Sequence, residues 1–216
     1  PNAKVSLHLY DVNSAETVDV DVSRYNSYYI PRILWTKDPA VLSVQCTNRK
    51  QNVVDLIFVD AAKNTTSLVR QEKDAAYVDI TDNLTFFADT SFIWTSEMDG
   101  WNHIYHFDKN GRKLHQITTG NWEVTNYYGY DEKTNKVFYQ STENGSINRG
   151  VYSTGINGKN KQGLSIEEGS NSANFSADFS YYIGTFNDTE TPFVFTLNDS
   201  KTGNVLREIK NNNVLK

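Results

Sequence analysis

Sulfur-containing residues, proline and long apolar runs are all scarce in this sequence. Its 216 residues include one cysteine, one methionine and four prolines. The lone cysteine, Cys46, cannot form an intrachain disulfide, and no second cysteine or histidine stands beside it at metal-ligand spacing. No run of about 18 apolar residues occurs, and the first residues, PNAKVSLHLYDV, lack the basic and apolar regions of a signal peptide. We therefore expect a chain that neither spans a membrane nor carries its own export signal, with Cys46 as a small buried strand residue.

A concentration of positive charge is also missing. The 21 basic and 26 acidic residues are spread along the chain and give a formal net charge of −5. Because a protein that binds a phosphate backbone needs a clustered basic surface, we expect no nucleic acid among its partners.

Aromatic residues, in contrast, are abundant. Thirteen Tyr, eleven Phe and four Trp accompany only 22% charged residues, and this composition is typical of packed β-sheets rather than of a disordered tail or a helical bundle. A chain of this length fits within one large domain. The composition therefore predicts an all-β fold.

An acidic turn residue recurs between short strand-like runs. It is found at Asp38, Asp89, Asp131 and Asp178, which are 51, 42 and 47 residues apart. Each is followed by a strand-like run, a loop, a second run rich in aromatic and β-branched residues, a turn and a short last run. Dipeptides that favour positive φ in tight turns lie at Asp99-Gly100, Asn110-Gly111, Asn144-Gly145 and Asn157-Gly158. A unit of four short strands therefore repeats along the chain.

A period of about 40–50 residues with four strands per unit is typical of β-propeller blades. The pattern predicts one partial propeller domain over residues 1–216, with four antiparallel blades at 28–72, 77–120, 124–166 and 172–211. One strand, Val5 to Val12, is left over in front of them. Because the last unit already has its own fourth run, this extra strand favours an open arc cut from a larger propeller over a closed four-bladed ring.

Two patterns near the middle of the chain carry a family resemblance. They are Ser-Glu-x-Asp-Gly-Trp-x-His at Ser96–His103 and Thr-x-Gly-x-Trp-Glu-Val at Thr118–Val124, and the run SANFSADFSYYIGTF at 172–186 adds to them. The chain resembles the N-terminal propeller domain of the dipeptidyl peptidase IV family of prolyl oligopeptidase-type serine exopeptidases. The resemblance covers nearly the whole sequence.

This resemblance implies a place in a larger enzyme. In that family an eight-bladed propeller lies over an α/β-hydrolase domain, and the enzyme removes dipeptides from peptide N-termini, commonly after proline. The chain would be the C-terminal half of the propeller. Its partners would be the remaining blades and the hydrolase domain of a homodimeric parent, together with peptide substrates, in the periplasm, at the cell envelope or outside the cell.

The sequence predicts no catalytic residue, no metal site and no cofactor. No G-x-S-x-G motif for a hydrolase nucleophile occurs, and the four histidines, at positions 8, 103, 106 and 115, lie in or beside predicted strands. His103 and His106 are three residues apart, so in a strand they face opposite sides and cannot ligate one metal as a pair. The chain alone is therefore not expected to be an enzyme.

Two segments invite a substrate-binding interpretation. The family grips the free amino group of its substrate with a Glu pair, but that pair lies in an earlier part of the propeller, so Glu167-Glu168 is interpreted as a solvated loop. The segment from Tyr77 to Phe86 takes the place from which some family members send an arginine-bearing loop toward the substrate, although it contains no arginine. Tyr77, Asp79 and Asp82 are the candidates for lining the substrate cavity, with ordinary turn and strand-cap roles as the alternative.

Two functions compete on this evidence. The first is a non-catalytic propeller portion of a dipeptidyl peptidase IV-like exopeptidase that walls the active-site cavity and restricts substrate access. The alternative is a stand-alone propeller-like binding module for glycan or protein. A hydrolase domain encoded after Lys216 in the parent gene would favour the first.

Overall fold

The computed structural model describes residues 4–215, and across them the chain is built almost entirely of β-strands. The first two strands, β1 (Leu7–Asp11) and β2 (Glu16–Val20), form a hairpin. One three-residue 3-10 turn, Asn213–Leu215, is the helical structure found in this range. In the same range no helix has the length and apolar character to cross a membrane.

Four four-stranded sheets follow the hairpin. The first contains β3 (Tyr29–Trp35), β4 (Val41–Thr47), β5 (Val53–Asp60) and β6 (Thr65–Lys73), and the second β7 (Thr85–Phe86), β8 (Phe92–Ser96), β9 (His103–Phe107) and β10 (Lys113–Gln116). The third contains β11 (Val124–Asp131), β12 (Lys136–Ser141), β13 (Gly150–Gly155) and β14 (Gln162–Ser165), and the fourth β15 (Ser170–Phe175), β16 (Tyr181–Asn187), β17 (Val194–Asp199) and β18 (Val205–Lys210). In each sheet the spatial order of the strands follows their order in the chain, as in a propeller blade. The predicted all-β propeller fragment with four four-stranded blades is confirmed.

The predicted leading strand is present, and the structure adds a partner to it. Strand β1 pairs with β2 from Leu7 opposite Val20 to Asp11 opposite Glu16. Sequence reasoning missed β2 because only Val20 of its five residues is buried, so its apolar pattern is weak. Leu7 and Val20 pack into the same apolar cluster as Val44 and Ile57 of the first sheet.

The four recurring aspartates all form the same local turn. The carboxylates of Asp38, Asp89, Asp131 and Asp178 each accept a hydrogen bond from the backbone N–H two residues further on, over 2.9 to 3.1 Å. Asp and Asn side chains favour this Asx turn because it replaces a backbone hydrogen bond at the turn. The spacing of the repeat therefore reflects one turn device used between the first and second strands of every sheet.

The Asp-Gly and Asn-Gly dipeptides also lie in turns, but these turns are longer than tight hairpins. All four glycines have positive φ, in connections of five to eight residues. At Gly111, where φ is +78°, an added Cβ would lie 1.8 Å from the carbonyl oxygen of Val69. The chain needs glycine there for space as well as for backbone conformation.

The chain forms two compact units, each with its own apolar core. One contains Pro1–Ile93 and Phe107–Lys113, and the other contains Trp94–His106 and Leu114–Lys216. In the first unit β5 is buried on both faces along most of its length, as expected for a strand inside a stack of blades. In the second, Phe138, Val151, Leu164 and Tyr182 form a buried cluster.

An aromatic cluster lies in the first unit. The ring of Phe92 is fully buried and lies 5.8 Å from that of Phe86, 6.3 Å from that of Phe58 and 5.5 Å from that of Phe107. The guanidinium of Arg70 covers the ring of Phe107 at 4.2 Å. These rings join β5 of the first sheet to strands of the second, so the cluster is the packing between two consecutive blades.

Candidate functional site

The predicted cavity-lining residues lie on an irregular segment, residues 74–84, between β6 and β7. Tyr77 and Asp79 are exposed, and between them Val78 is buried and donates its N–H to the carbonyl of Gln51 over 2.9 Å. Of the three candidates, Asp82 is the one that the structure brings into a polar cluster with residues of the first sheet. That cluster borders a pocket.

Asp82 forms a two-pronged ion pair with Arg32 of β3. The Arg32 Nε donates to Oδ1, and Nη2 donates to Oδ2 over 3.0 Å. The hydrogen bonds and the charge of Arg32 lower the pKa of Asp82, and Asp82 in turn raises the pKa of Arg32. Both side chains are about half exposed or more, so water screens the pair and it adds little to stability. Its clearer effect is to hold the 74–84 segment at the first sheet.

Gln45 of β4 makes a second connection to the same segment. It lies opposite Arg32 in the β3–β4 ladder, and Ser43 lies opposite Leu34, so these four side chains share one face of the sheet. The Gln45 Nε2 donates to the carbonyl of Thr81 over 2.8 Å. The hydroxyl of Ser43 donates to the carbonyl of Leu34 over 2.6 Å.

A pocket of about 130 Å³ lies between these two connections. It is lined by Arg32, Ile33, Leu34, Ser43, Gln45, Asp82 and Leu84. Gln45 is 3% exposed, and its Oε1 has no hydrogen-bond partner among the described residues. A cavity of about 150 Å³ can hold a benzene ring. The pocket is slightly smaller than that, but its rim is open because Arg32 and Asp82 are exposed. It therefore has room for at most one small ring beside a buried acceptor that can receive a hydrogen bond.

The sequence named Asp82 as a candidate but did not identify its neighbours Arg32, Ser43 and Gln45. The ion-pair partners are separated by 50 positions, and nothing local marks Gln45 as a pocket residue. The only available signal was a polar Gln in a strand otherwise made of small and apolar residues. Such a residue needs a buried hydrogen-bond partner.

The two motifs of the family resemblance contact each other within the second unit. The fully buried His103 contacts Thr118 Oγ1 at 3.0 Å and the carbonyl oxygen of Gly120 at 3.1 Å. Its ring meets that of Trp122 edge-on, with centroids 4.8 Å apart. Gly120 has φ of +145°, and an added Cβ would lie 2.1 Å from Trp122 Nε1. The motifs thus define a packing arrangement around His103.

The second unit contains two further histidines, His106 and His115. The rings of His106 and His115 lie 6.1 Å apart. Within residues 4–215, no group of three or more His, Cys, Asp or Glu side chains has an arrangement that could hold a metal ion.

Glu167 and Glu168, interpreted from the sequence as a solvated loop, have exposed side chains. The backbone carbonyl of Glu167 accepts a hydrogen bond from Asn171 Nδ2 over 2.7 Å.

A serine, a histidine and an aspartate form a hydrogen-bonded chain on the first hairpin, which sequence reasoning did not foresee. Ser6 Oγ lies 2.8 Å from His8 Nε2, and His8 Nδ1 lies 2.7 Å from Asp19 Oδ1. His8 and Asp19 are directly opposite each other in the β1–β2 ladder. Their side chains are 46% and 88% exposed, whereas acyl transfer needs oxyanion donors in a site that excludes water. The arrangement is that of a surface cross-strand pair.

The fold defines the chain as part of a β-propeller, and its sequence places that propeller in one family. The chain belongs to the family described as the dipeptidyl peptidase IV (DPP IV) N-terminal region, whose model matches residues 1–193. The two motifs at Ser96–His103 and Thr118–Val124 lie inside this match.

Relatives with this architecture are much longer proteins. The crystal structure of Porphyromonas gingivalis dipeptidyl peptidase 4 matches 99% of this chain with a TM-score of 0.91 and 38% identity, and the match covers 30% of that chain. The "Probable dipeptidyl-aminopeptidase B" of Pyrenophora teres f. teres is 30% identical over 212 residues, which are 89% of this chain and 23% of the fungal protein. The "Probable dipeptidyl peptidase 4" of Aspergillus flavus is 27% identical over 98% of this chain and 29% of its own length. The chain therefore spans between 23% and 30% of the length of these relatives.

Proposed function

We propose that the chain is the non-catalytic propeller portion of a dipeptidyl peptidase IV-like serine exopeptidase. Its role is to wall the active-site cavity and to restrict which peptides enter. The observation that carries the proposal is the match of 99% of this chain to 30% of the Porphyromonas dipeptidyl peptidase 4 structure. In this proposal residues 1–216 are one partial domain, with blades at 28–72, 77–120, 124–166 and 172–211.

The proposal assigns the hydrolysis to another part of the parent chain. The partners are then the hydrolase domain, the remaining blades and the peptide substrates, and the parent is a homodimer at the cell envelope, in the periplasm or outside the cell. Support comes from the names of these three relatives, each of which describes a peptidase. Ser6, whose hydroxyl contacts His8, which in turn contacts Asp19, lies on an exposed hairpin rather than in a closed site.

Tyr77, Asp79 and Asp82 are proposed to line the substrate cavity. All three side chains are exposed, so they are available to a passing peptide. The ion pair of Asp82 with Arg32 and the hydrogen bond from Gln45 to Thr81 hold their segment in place. A fixed wall is what a size-restricting entrance requires, because a mobile segment would yield to longer substrates.

The test compares substrates of different length in the full parent enzyme. Tyr77→Ala and Asp82→Ala are expected to change kcat/KM for peptides of six or more residues by several-fold, while a dipeptidyl chromogenic substrate is affected less, because it ends before the wall. Lys73→Ala, at an exposed site on β6 of the same sheet, is the matched control. Unchanged kcat/KM at every length would contradict the assigned wall.

A further inference from the structure

We propose that the Gln45 pocket binds a neutral group with an apolar body of about the size of one aromatic ring and a single N–H or O–H donor at its tip. One part of this inference rests on the proposed function: that a substrate peptide supplies the group. The binding chemistry of the pocket is argued independently, from four features of the first sheet.

The first feature is the unused acceptor. The Gln45 side chain is 3% exposed and lines the pocket, and its Nε2 is already used in the 2.8 Å bond to the Thr81 carbonyl. That bond fixes the orientation of the amide, since flipping it would place two oxygens against each other. The Oε1 therefore stays an acceptor, and a buried acceptor is stabilised by any guest that brings a donor to it.

The second feature is an equivalent glutamine whose acceptor is satisfied. Gln140 is the fifth residue of β12, as Gln45 is of β4, and its Nε2 likewise donates to a backbone carbonyl of the following segment, that of Asn171, over 2.6 Å. Its Oε1, however, accepts a hydrogen bond from Thr125 Oγ1 over 2.7 Å. The same side chain in the third sheet is thus fully paired by the protein itself.

The difference between the two sheets lies in one position of the first strand. Thr125 immediately precedes Asn126, the cross-strand partner of Gln140, at an irregularity of the ladder. The first sheet has an irregularity at the same place, but the residue that precedes Arg32, the partner of Gln45, is Pro31. Proline has neither a side-chain donor nor a backbone N–H. The first sheet therefore lacks the internal donor that Thr125 provides in the third sheet.

The third and fourth features are the charge and the walls of the pocket. Arg32 and Asp82 neutralise each other at its rim, and the hydroxyl of Ser43 donates to the Leu34 carbonyl. Leu34 and Leu84 supply the apolar walls, while the side chain of Ile33 points to the opposite face of β3. A charged guest would lose its hydration without finding an opposite free charge, so the pocket favours a neutral one. Its volume of about 130 Å³ limits that guest to about one ring.

The experiment uses phenol and toluene as probes with the 216-residue chain. Each molecule has one ring and the two have nearly the same shape, but only phenol has an O–H donor. In ¹⁵N-edited NMR titrations, phenol is expected to shift the Gln45 side-chain amide signals and the backbone signals of residues 43–45 and 82–84. One net hydrogen bond makes phenol bind about twofold to tenfold more tightly than toluene.

Two glutamine variants identify the acceptor. Gln45→Met removes the acceptor at similar length and should abolish the preference for phenol over toluene. Because it also removes the bond to Thr81, Gln140→Met serves as the matched control: it removes the corresponding bond in the third sheet and should leave the preference intact. If Gln45→Met does not fold, the shift of the Gln45 side-chain amide in the wild-type titration decides the question alone.

Three outcomes would overturn the pocket assignment: equal affinity for phenol and toluene, signal changes confined to other residues, or a preference that survives in Gln45→Met. The peptide arm is separate and uses N-acetyl-Gly-Tyr-Gly-amide. If the peptide displaces phenol, a peptide side chain can supply the guest. If phenol binds and the peptide does not displace it, the pocket stands and its link to the proposed function is refuted.

Discussion

Replacing Phe92 by alanine should remove the centre of the packing between the first two blades. The side chain is fully buried and its ring lies within 6.3 Å of three others, those of Phe58, Phe86 and Phe107. Burying a phenylalanine contributes about 1.5–3 kcal/mol, and each well-oriented ring pair adds about 0.5–1.5 kcal/mol. Because the surroundings can relax into part of the gap, we expect Phe92→Ala to lower the free energy of unfolding by about 3–5 kcal/mol.

Thermal and urea unfolding, followed by near-UV circular dichroism, would measure this loss. For a chain of this size, each kcal/mol corresponds to about 2–4 °C in Tm, so the expected decrease is about 6–20 °C. The matched control is Phe193→Ala, since Phe193 is 54% exposed and its removal should change the stability by no more than about 0.5 kcal/mol. If both variants melted within about 2 °C of each other, Phe92 would not be the buried centre of this cluster.

Three further predictions concern other groups. Burial raises the pKa of Cys46 to about 12, so Ellman's reagent at pH 8 should react only as fast as the chain unfolds, and prompt stoichiometric labelling would disprove the buried position. The hydroxyls of Ser176 and Ser180 lower the pKa of Asp178 from 3.8 to about 2. A carboxylate with a lowered folded-state pKa stabilises the protein above its unfolded pKa, and this stabilisation is lost as the pH falls through the folded pKa. The urea midpoint of Asp178→Asn should therefore lie below that of the wild type by an amount that shrinks as the pH falls from 3.8 toward 2, and a constant difference would contradict the assignment. The 216-residue chain should neither hydrolyse a dipeptidyl-prolyl chromogenic substrate nor react with a fluorophosphonate beyond the level of a Ser6→Ala control, and stoichiometric serine labelling would show that the hairpin serine is activated.

The blade pattern could be predicted from the sequence because its causes are local. An Asx turn such as that of Asp131 depends on a backbone N–H only two residues away, and the apolar run Val53–Asp60 is one strand from end to end. The second strand of the first hairpin escaped prediction because its burial falls on Val20 alone. What a strand buries depends on its neighbours, and a five-residue run with one apolar contact carries little signal.

The candidate site could be predicted only in part. Asp82 was named as a candidate because the family resemblance pointed to the segment from Tyr77 to Phe86, and its place in a substrate cavity stays a prediction. Its partner Arg32 and the pocket residue Gln45 approach it through the pairing of β3 with β4 and the return of the chain after β6. Contacts of this kind join residues 36 to 50 positions apart, so no local pattern reveals them.

The four Asx turns also bear on how the chain folds. Each forms within three residues and brings the end of one strand to the start of the next, as Trp35 is brought opposite Leu42. Every later strand of a sheet pairs with the strand immediately before it in the chain. Loop closure over such short distances is fast, and single hairpins form in about 1–10 μs. We expect each sheet to nucleate at its own aspartate turn, so that removing one carboxylate slows the folding of one blade and leaves the nucleation of the others unchanged.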